Sequence, residues 1–444
     1  MNDTITTARN SYLRDFTGSD TGSEAAGPAW LRGLRQSAAD RFGALGFPTR
    51  RNEEWRFTNV SPIAETPFQL ASASESVLTQ DGLRPYTYQG LSGTQLVFVN
   101  GHFSPDLSSK TFPAGVVVSS LSAAFESDPT LVQAHLARYA QFDIQPFVAL
   151  NTAALEDGAF VHIQSGTVVD EPIHLMFVSN SAGGPTISHP RTLIVAEDNS
   201  QATVVESYAG TPEQVYFTNA VTEIVTGASA VLDHYKVQRE SAKAYHVATM
   251  QVQLDRAANF SSHSIILGGR LVRNDANAVL GGEGGECTLN GVYLGKDRQL
   301  IDNHTSIDHA MPHCNSHEIY KGILDGHSRG VFNGKIFVRL DAQKTDAKQT
   351  NQTLLLSPTA QIDTKPQLEI LADDVRCTHG ATIGQLNAEA LFYLRARGIA
   401  EADARSLLIY AFAGDIVSRI KVEAIRAQLD QVLLSERALE GISA

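Results

Sequence analysis

The sequence predicts a mainly β protein built on a β-solenoid, with helical regions before and after it. Three observations carry this. From Phe147 to Leu371 nearly the whole chain reads as short apolar β segments broken by Gly, Asp, Asn and Pro. Within that run a weak repeat places turns near Ser200, Ser229, Asn259 and Cys287, at steps of 29, 30 and 28 residues, a period typical of solenoids and propellers. After Gly384 the apolar spacing changes from that of a strand to that of a helix. No propeller-blade signature accompanies the repeat. A solenoid, each coil burying an apolar face against the next, is therefore favoured over a sandwich with coincidental spacing.

Taken in order, residues 1–28 are polar and rich in Thr, Ser and Gly, and are expected to form a mobile arm. Residues 29–145 read as a mixed, largely helical region. Apolar residues at 30, 31, 34, 38 and 42 make a helical stripe that ends around Gly43 and Gly46. Leu96-Val97-Phe98-Val99 followed by Asn100-Gly101 is a strand entering a tight turn, and a helical interlude follows over roughly 121–139. Residues 146–378 form the expected β core. Residues 379–444 form a helical domain. Asn387 is placed to cap its first helix, with Leu386 and Leu391 as a hydrophobic staple and Gly398 just past its end. A second helix around Leu407–Phe412 is expected to stop near Gly414, and Val422, Ile425, Leu429 and Leu433 stripe a third. A tail this small rarely holds without a surface to dock on.

Composition excludes several function classes. The chain has 444 residues, 43% of them hydrophobic. No run approaches the ~18 apolar residues of a membrane helix. The start, Met1-Asn2-Asp3-Thr4-Ile5, has neither the basic nor the apolar region of a secretory signal, so a cytoplasmic location is expected. A net charge of −13 argues against nucleic-acid binding. Cys287, Cys314 and Cys377 are far apart and contain no CxxC pair, which suits a reducing compartment.

Apparent catalytic motifs fail on inspection. Gly281–Gly285 lacks the lysine and hydroxyl of a phosphate loop, and Lys296 is followed by Asp297. His317-Glu318 opens like a metalloprotease helix, but position 321 is Lys. No Gly-x-Ser-x-Gly elbow exists. The expectation is therefore a protein that is not an enzyme and binds no nucleotide. Two groups could still ligate metal. His304, His309, His313, Cys314 and His317 lie within 14 residues, although Pro312 interrupts them and their spacing fits no standard site. The alternative is a solenoid corner whose imidazoles bond backbone carbonyls. Cys377 and His379 stand two residues apart where strand gives way to helix. A soft thiolate and an imidazole are acceptable iron–sulfur ligands, and alternation would put both on one face. Two ligands leave the site incomplete, so a second chain would have to supply the rest. The other reading is a buried thiol and a capping imidazole.

Longer strings are more specific. Asn52-Glu53-Glu54-Trp55-Arg56-Phe57-Thr58, Val331–Lys335, Ala342–Gln352, Asp363–Ile370 and Asp374–Gly384 running into Leu391–Ile399 resemble the SufB/SufD family of iron–sulfur cluster assembly subunits. The resemblance spans about the whole chain and is strongest from 330 to 400. The Glu-Glu-Trp-Arg string, the His379-Gly380 context and the lack of N-terminal CxxC pairs place it on the SufD side. It implies a right-handed parallel β-helix flanked by helices, acting as a scaffold in a SufB–SufC–SufD complex. It implies a transient cluster at the interface with a SufB-like subunit, with His379 as this chain's ligand and Cys377 as a less firmly assigned one. It also implies a SufC-like ABC ATPase docked around Phe392, Arg395, Arg397, Ile409 and Phe412. The complex is associated with reduced flavin, although no flavin fingerprint occurs in this chain. Remaining readings are a homodimeric accessory or regulatory protein, a SufB-like main scaffold, and a β-helix carbohydrate-active enzyme. The missing export signal and the family strings speak against the last of these.

Overall fold

In the computed structural model, residues 27–71, 78–180 and 183–434 are described. The expected arm at 1–28 lies almost wholly outside them. Among the described residues the fold is a parallel β-solenoid with helices at both ends of the chain. Successive strands alternate between two sheets. One ends Tyr245–Leu254, Leu271–Leu280, Leu300–His309, Arg329–Val338, Gln361–Ile370, and the other ends Asn259–Ile266, Glu286–Gly295, Asn315–Leu324, Asp346–Leu355, Arg376–Gln385. Every neighbouring pair in these series is parallel.

The repeat seen in the sequence is the coil itself. Val231 pairs with Gln201 on one side and Asn259 on the other, and Asn259 pairs with Glu286. The residues two positions before these strands form one corner, and all are left-handed: Asn199, Ser229, Ala257, Gly284, His313 and Lys344, with φ between 54° and 73°. Each donates its backbone N–H to the next coil, as in Asn199 to Ala228 and His313 to Gln343. The hydrogen-bond ladder holds even non-glycine residues in this conformation, where the cost would otherwise be about 1 kcal/mol or more each. The next position, just inside the corner, admits only small side chains. Ser200, Ala230, Ala258, Gly285, Cys314 and Thr345 follow one another there, and all are buried.

The end where the chain enters is closed. Val116–Ser120 and His102–Phe103 pair antiparallel on the outermost strands of the two sheets. Asn100 and Gly101, both left-handed, make the predicted tight turn. The far end has no such cap among the described residues. Strands Gln361–Ile370 and Arg376–Gln385 are the edges of their sheets.

The N-terminal region docks on the outer face of the first sheet. Phe42, Phe47, Trp55, Ile63 and Phe147 pack with Phe217, Tyr245, Val247 and Leu271. A polar latch supplements this contact. Trp55 lies under the Arg273 guanidinium, 3.9 Å from ring centre to Cζ. Arg273 pairs with Asp302 at 3.1 Å, Asp302 with His304 at 3.0 Å, and His304 faces Glu54 at 3.4 Å. Burial alone would lower the His304 pKa, but the Asp302 carboxylate raises it to about 9.

The C-terminal helices Ala388–Ala396, Glu401–Val417 and Glu423–Leu434 lie on the outer face of the second sheet. Ile409, Ala413, Ile416, Val417, Ile425 and Leu429 pack on Val205, Tyr235, Val237, Ile265, Val292 and Ile323. Lys321 donates to the Phe412 carbonyl at 2.7 Å and pairs with Asp415 at 2.5 Å. The docking surface the tail needs is therefore the solenoid itself.

Several boundaries differ from the sequence reading. Pro146–Ala153 is a helix, not the first core strand. It packs on helix Ala29–Leu45 with proline in its first turn. The interlude at 121–139 is two short helices, broken at Asp128-Pro129 and ended by the left-handed Ala137. Strand Thr94–Val99 joins the second sheet by pairing with Ile173–Ser179, so sheet structure begins inside 29–145. The last strand runs to Gln385, past the division drawn at 378 and 379. Gly414 does not end its helix, because burial of Ala413, Ile416 and Val417 carries the turn through it. The Asn387 cap stands as expected: its side chain accepts from the N–H groups of Glu389 and Ala390.

Candidate functional site at the open end of the solenoid

Register fixes what faces inward along the second sheet. One column runs Leu232, Phe260, Cys287, Ser316, Ala347, Cys377, and the neighbouring one runs His234, Ser262, Leu289, Glu318, Gln349, His379. In the second column every member before the last is at most 5% exposed, whereas His379 is exposed. Among the described residues no coil stacks on the last strand, so positions that are core elsewhere become surface here. By register Cys377 and His379 both face the bore at its open end, about 7 Å apart along the strand. The sequence placed this pair at a strand-to-helix boundary. The structure places it within strand Arg376–Gln385, where His379 caps no helix.

Their surroundings differ. Cys377 is half-buried against Ile336, Val338, Ala342, Ala347 and Ala372. Burial pushes its thiol up, partly offset by the Ala347 backbone. A thiol held protonated becomes a ligand when a cation displaces its proton. Around the pair the end is apolar and uncovered: Leu340, Ile370, Leu371 and Ile383 are all exposed.

The histidine-rich group disperses. His304 is outside the first sheet in the latch, and His309 faces inward, fully buried, with Nε2 2.9 Å from Ser316 Oγ. His313 is a left-handed corner residue, and Cys314 fills the small-residue column with Sγ donating to Gly282 O at 3.3 Å. His317 is exposed on the outer face of the second sheet. Among the described residues no group of three or more His, Cys, Asp or Glu side chains converges as metal ligands would.

The tail residues also separate. Phe392 is 74% exposed, with Tyr393 and Leu407 exposed nearby. Arg397 stacks 4.3 Å from the Tyr393 ring, and Arg395 pairs with Glu401. These form a surface patch. Ile409 is 3% exposed and Phe412 is half-buried beneath Lys321, so both face the solenoid. Sequence reasoning missed Tyr393 and Leu407. Leu407 lies on the side of its helix away from Ile409 and Ala413, a distinction the helical period would have drawn.

The family model described as SUF system FeS cluster assembly, SufBD core domain, matches residues 177–412, and that for the SufBD protein N-terminal region matches residues 6–175. An iron-sulfur cluster assembly SufBD family protein of Synechocystis is 35% identical over 408 residues, spanning 89% of each chain. The iron-sulfur cluster assembly protein SufD of Escherichia coli is 32% identical, over 86% of this chain and 88% of its own. The Bacillus subtilis protein of that name is 27% identical over 95% and 96%.

Proposed function

The chain belongs to the SufBD family of iron–sulfur cluster assembly proteins, and from that premise we propose that it is a SufD-like scaffold subunit whose working surface is the open end of its solenoid. One observation carries the reading. The inward columns that are buried in earlier coils end in an exposed imidazole and a half-buried thiol. A SufB-like subunit covers that end, its strands extending the two unpaired edges. The nascent cluster, as cargo, is held between the chains, with His379 as the main ligand from this side and Cys377 as the second. The subunit itself performs no chemical step. A SufC-like ABC ATPase docks on the exposed patch of Phe392, Tyr393, Arg395 and Arg397, and reduced flavin acts on the assembled complex.

Coupling follows from how the tail is held. The helices carrying the patch are fixed to the second sheet by Ile409, Phe412 and the Lys321–Asp415 pair. A pull on the patch is therefore transmitted to the solenoid. An ATPase that contacts two states of the complex differently shifts the equilibrium between them.

The same edges favour a second reading, a homodimer of isolated chains through self-pairing at the open end. Ile383, 52% exposed on the last strand, distinguishes the outcomes. Ile383→Arg should leave the melting temperature unchanged and abolish co-purification with a co-expressed SufB-like subunit. Retained pairing at unchanged affinity would sink the proposal. Self-association lost in the variant, with hetero-pairing absent even in the unmodified chain, would favour the homodimer.

A further inference from the structure

The bore behind His379 is polar, and its polar groups are not satisfied by one another. Glu318 is 1% exposed and Gln349 2% exposed. The Gln349 amide donates to one Glu318 oxygen at 2.9 Å, but among the described residues Glu318 Oε1 and Gln349 Oε1 have no hydrogen-bond partner. Among the described residues neither side-chain polar atom of the fully buried Asn351 has a hydrogen-bond partner, nor does either of Asn303 on the facing sheet. These residues lie in the last coils, and Gln349 stands directly under His379 in register.

Such groups persist in a folded chain when water reaches them. The kinds of group left open point the same way. Asn303 and Asn351 each present a donor and an acceptor, whereas Glu318 and Gln349 present acceptors. A mixed set is met by water, which both donates and accepts, and not by a cation. At Gly334 a side chain would meet the Gln349 amide at 2.3 Å, so the glycine is what lets Gln349 take its place under His379.

We propose that the last coils enclose a file of water molecules connecting the buried Glu318 carboxyl, past Gln349, to the open end beside His379, so that Glu318 exchanges its proton with solvent while the fold stays intact. Among the described residues no cationic group acts on Glu318. Cys287 from the preceding coil and Tyr320 from its own strand are held protonated by burial, and burial lowers His309 on the facing sheet to about 4. Thr305 and Gln349 are uncharged. Burial outweighs their help and raises the Glu318 pKa to about 7. The file is a property of this chain alone and stands or falls independently of the partner reading.

Infrared difference spectra of the full-length chain between pH 5 and pH 9 test it. The expected result is a protonated-carboxyl band present at pH 5, lost toward pH 9 and absent in Glu318→Gln. In D2O it should shift within minutes, while the amide groups of the core strands remain unexchanged. Gln349→Leu, which places an apolar side chain across the file, should slow that shift at least 10-fold without slowing amide exchange. Should Glu318→Gln fail to fold, Glu318→Asp displaces the same band and identifies it. The proposal is overturned if no band depends on Glu318, if the band shifts only as fast as the core amides exchange, or if Gln349→Leu exchanges as fast as the unmodified chain.

Discussion

Raising the pH should loosen the N-terminal region from the solenoid by discharging one histidine. His304 sits between the Asp302 carboxylate at 3.0 Å and Glu54 at 3.4 Å, its side chain 11% exposed. Its pKa rises from 6.5 to about 9 on folding, while Asp302, next to His304 and Arg273, falls to about 2 despite its burial. A group whose folded pKa is raised contributes stability in full below its unfolded value and loses it as pH climbs through the folded one. The window is therefore pH 6.5 to about 9, and at 1.36 kcal/mol per unit the loss is about 3 kcal/mol. The Asp302 shift reflects the same contact and is not added. Trp55 reports the event, because it lies under Arg273, which bonds both Asp302 and the Glu54 carbonyl. In a Trp30→Phe background, urea titrations followed by Trp55 fluorescence at pH 6.5 and 9.5 should differ by about 3 kcal/mol. The same titrations of His304→Gln should differ by less than about 1 kcal/mol, the scale of exposed ion pairs. Equal losses in both proteins would refute the reasoning and assign the pH dependence elsewhere.

Other consequences are sharp at single residues. Phe392→Asp, on an exposed ring, should change stability by no more than about 0.5 kcal/mol yet abolish binding of a SufC-like ATPase, read by co-purification. Ile409→Ala, in the tail–solenoid contact, should instead cost about 2–5 kcal/mol in denaturant unfolding. Cys314→Leu overfills the small-residue column at the corner and should cost about 1–3 kcal/mol, whereas Cys314→Ala should be tolerated, both read by thermal unfolding.

Much of the architecture was legible in the sequence because a solenoid writes its coil length into the spacing of its turns. Ser200, Ser229, Asn259 and Cys287 mark one corner and the start of the strands after it. What failed was the reading of outer faces. Val204-Val205, Ile265-Ile266 and Ile323-Leu324 are apolar on both parities, the mark of strands covered on both sides. They show that the second sheet carries the tail. Pro146–Ala153 was misread because PFVALNTA is a short apolar run, which period alone does not divide between helix and strand. The left-handed corner also explains why the His304–His317 cluster misleads. Residues adjacent in sequence there point into the bore, out of it and around its edge. Cys377 and His379 were visible as a pair, but their exposure was not. It follows from strand Arg376–Gln385 being the edge of its sheet among the described residues, which no local pattern encodes.

If the cluster is held at the open end of the solenoid, its spectrum depends on His379. The chain would be co-expressed with SufB-like and SufC-like partners, purified through a tag on this chain, and reconstituted anaerobically with iron and sulfide. His379 is exposed, so His379→Ala should fold and co-purify normally. The account predicts that the complex forms with the variant and that its visible cluster absorbance falls by more than half. A complex of unchanged composition and unchanged spectrum would contradict it and place the ligands in the partner.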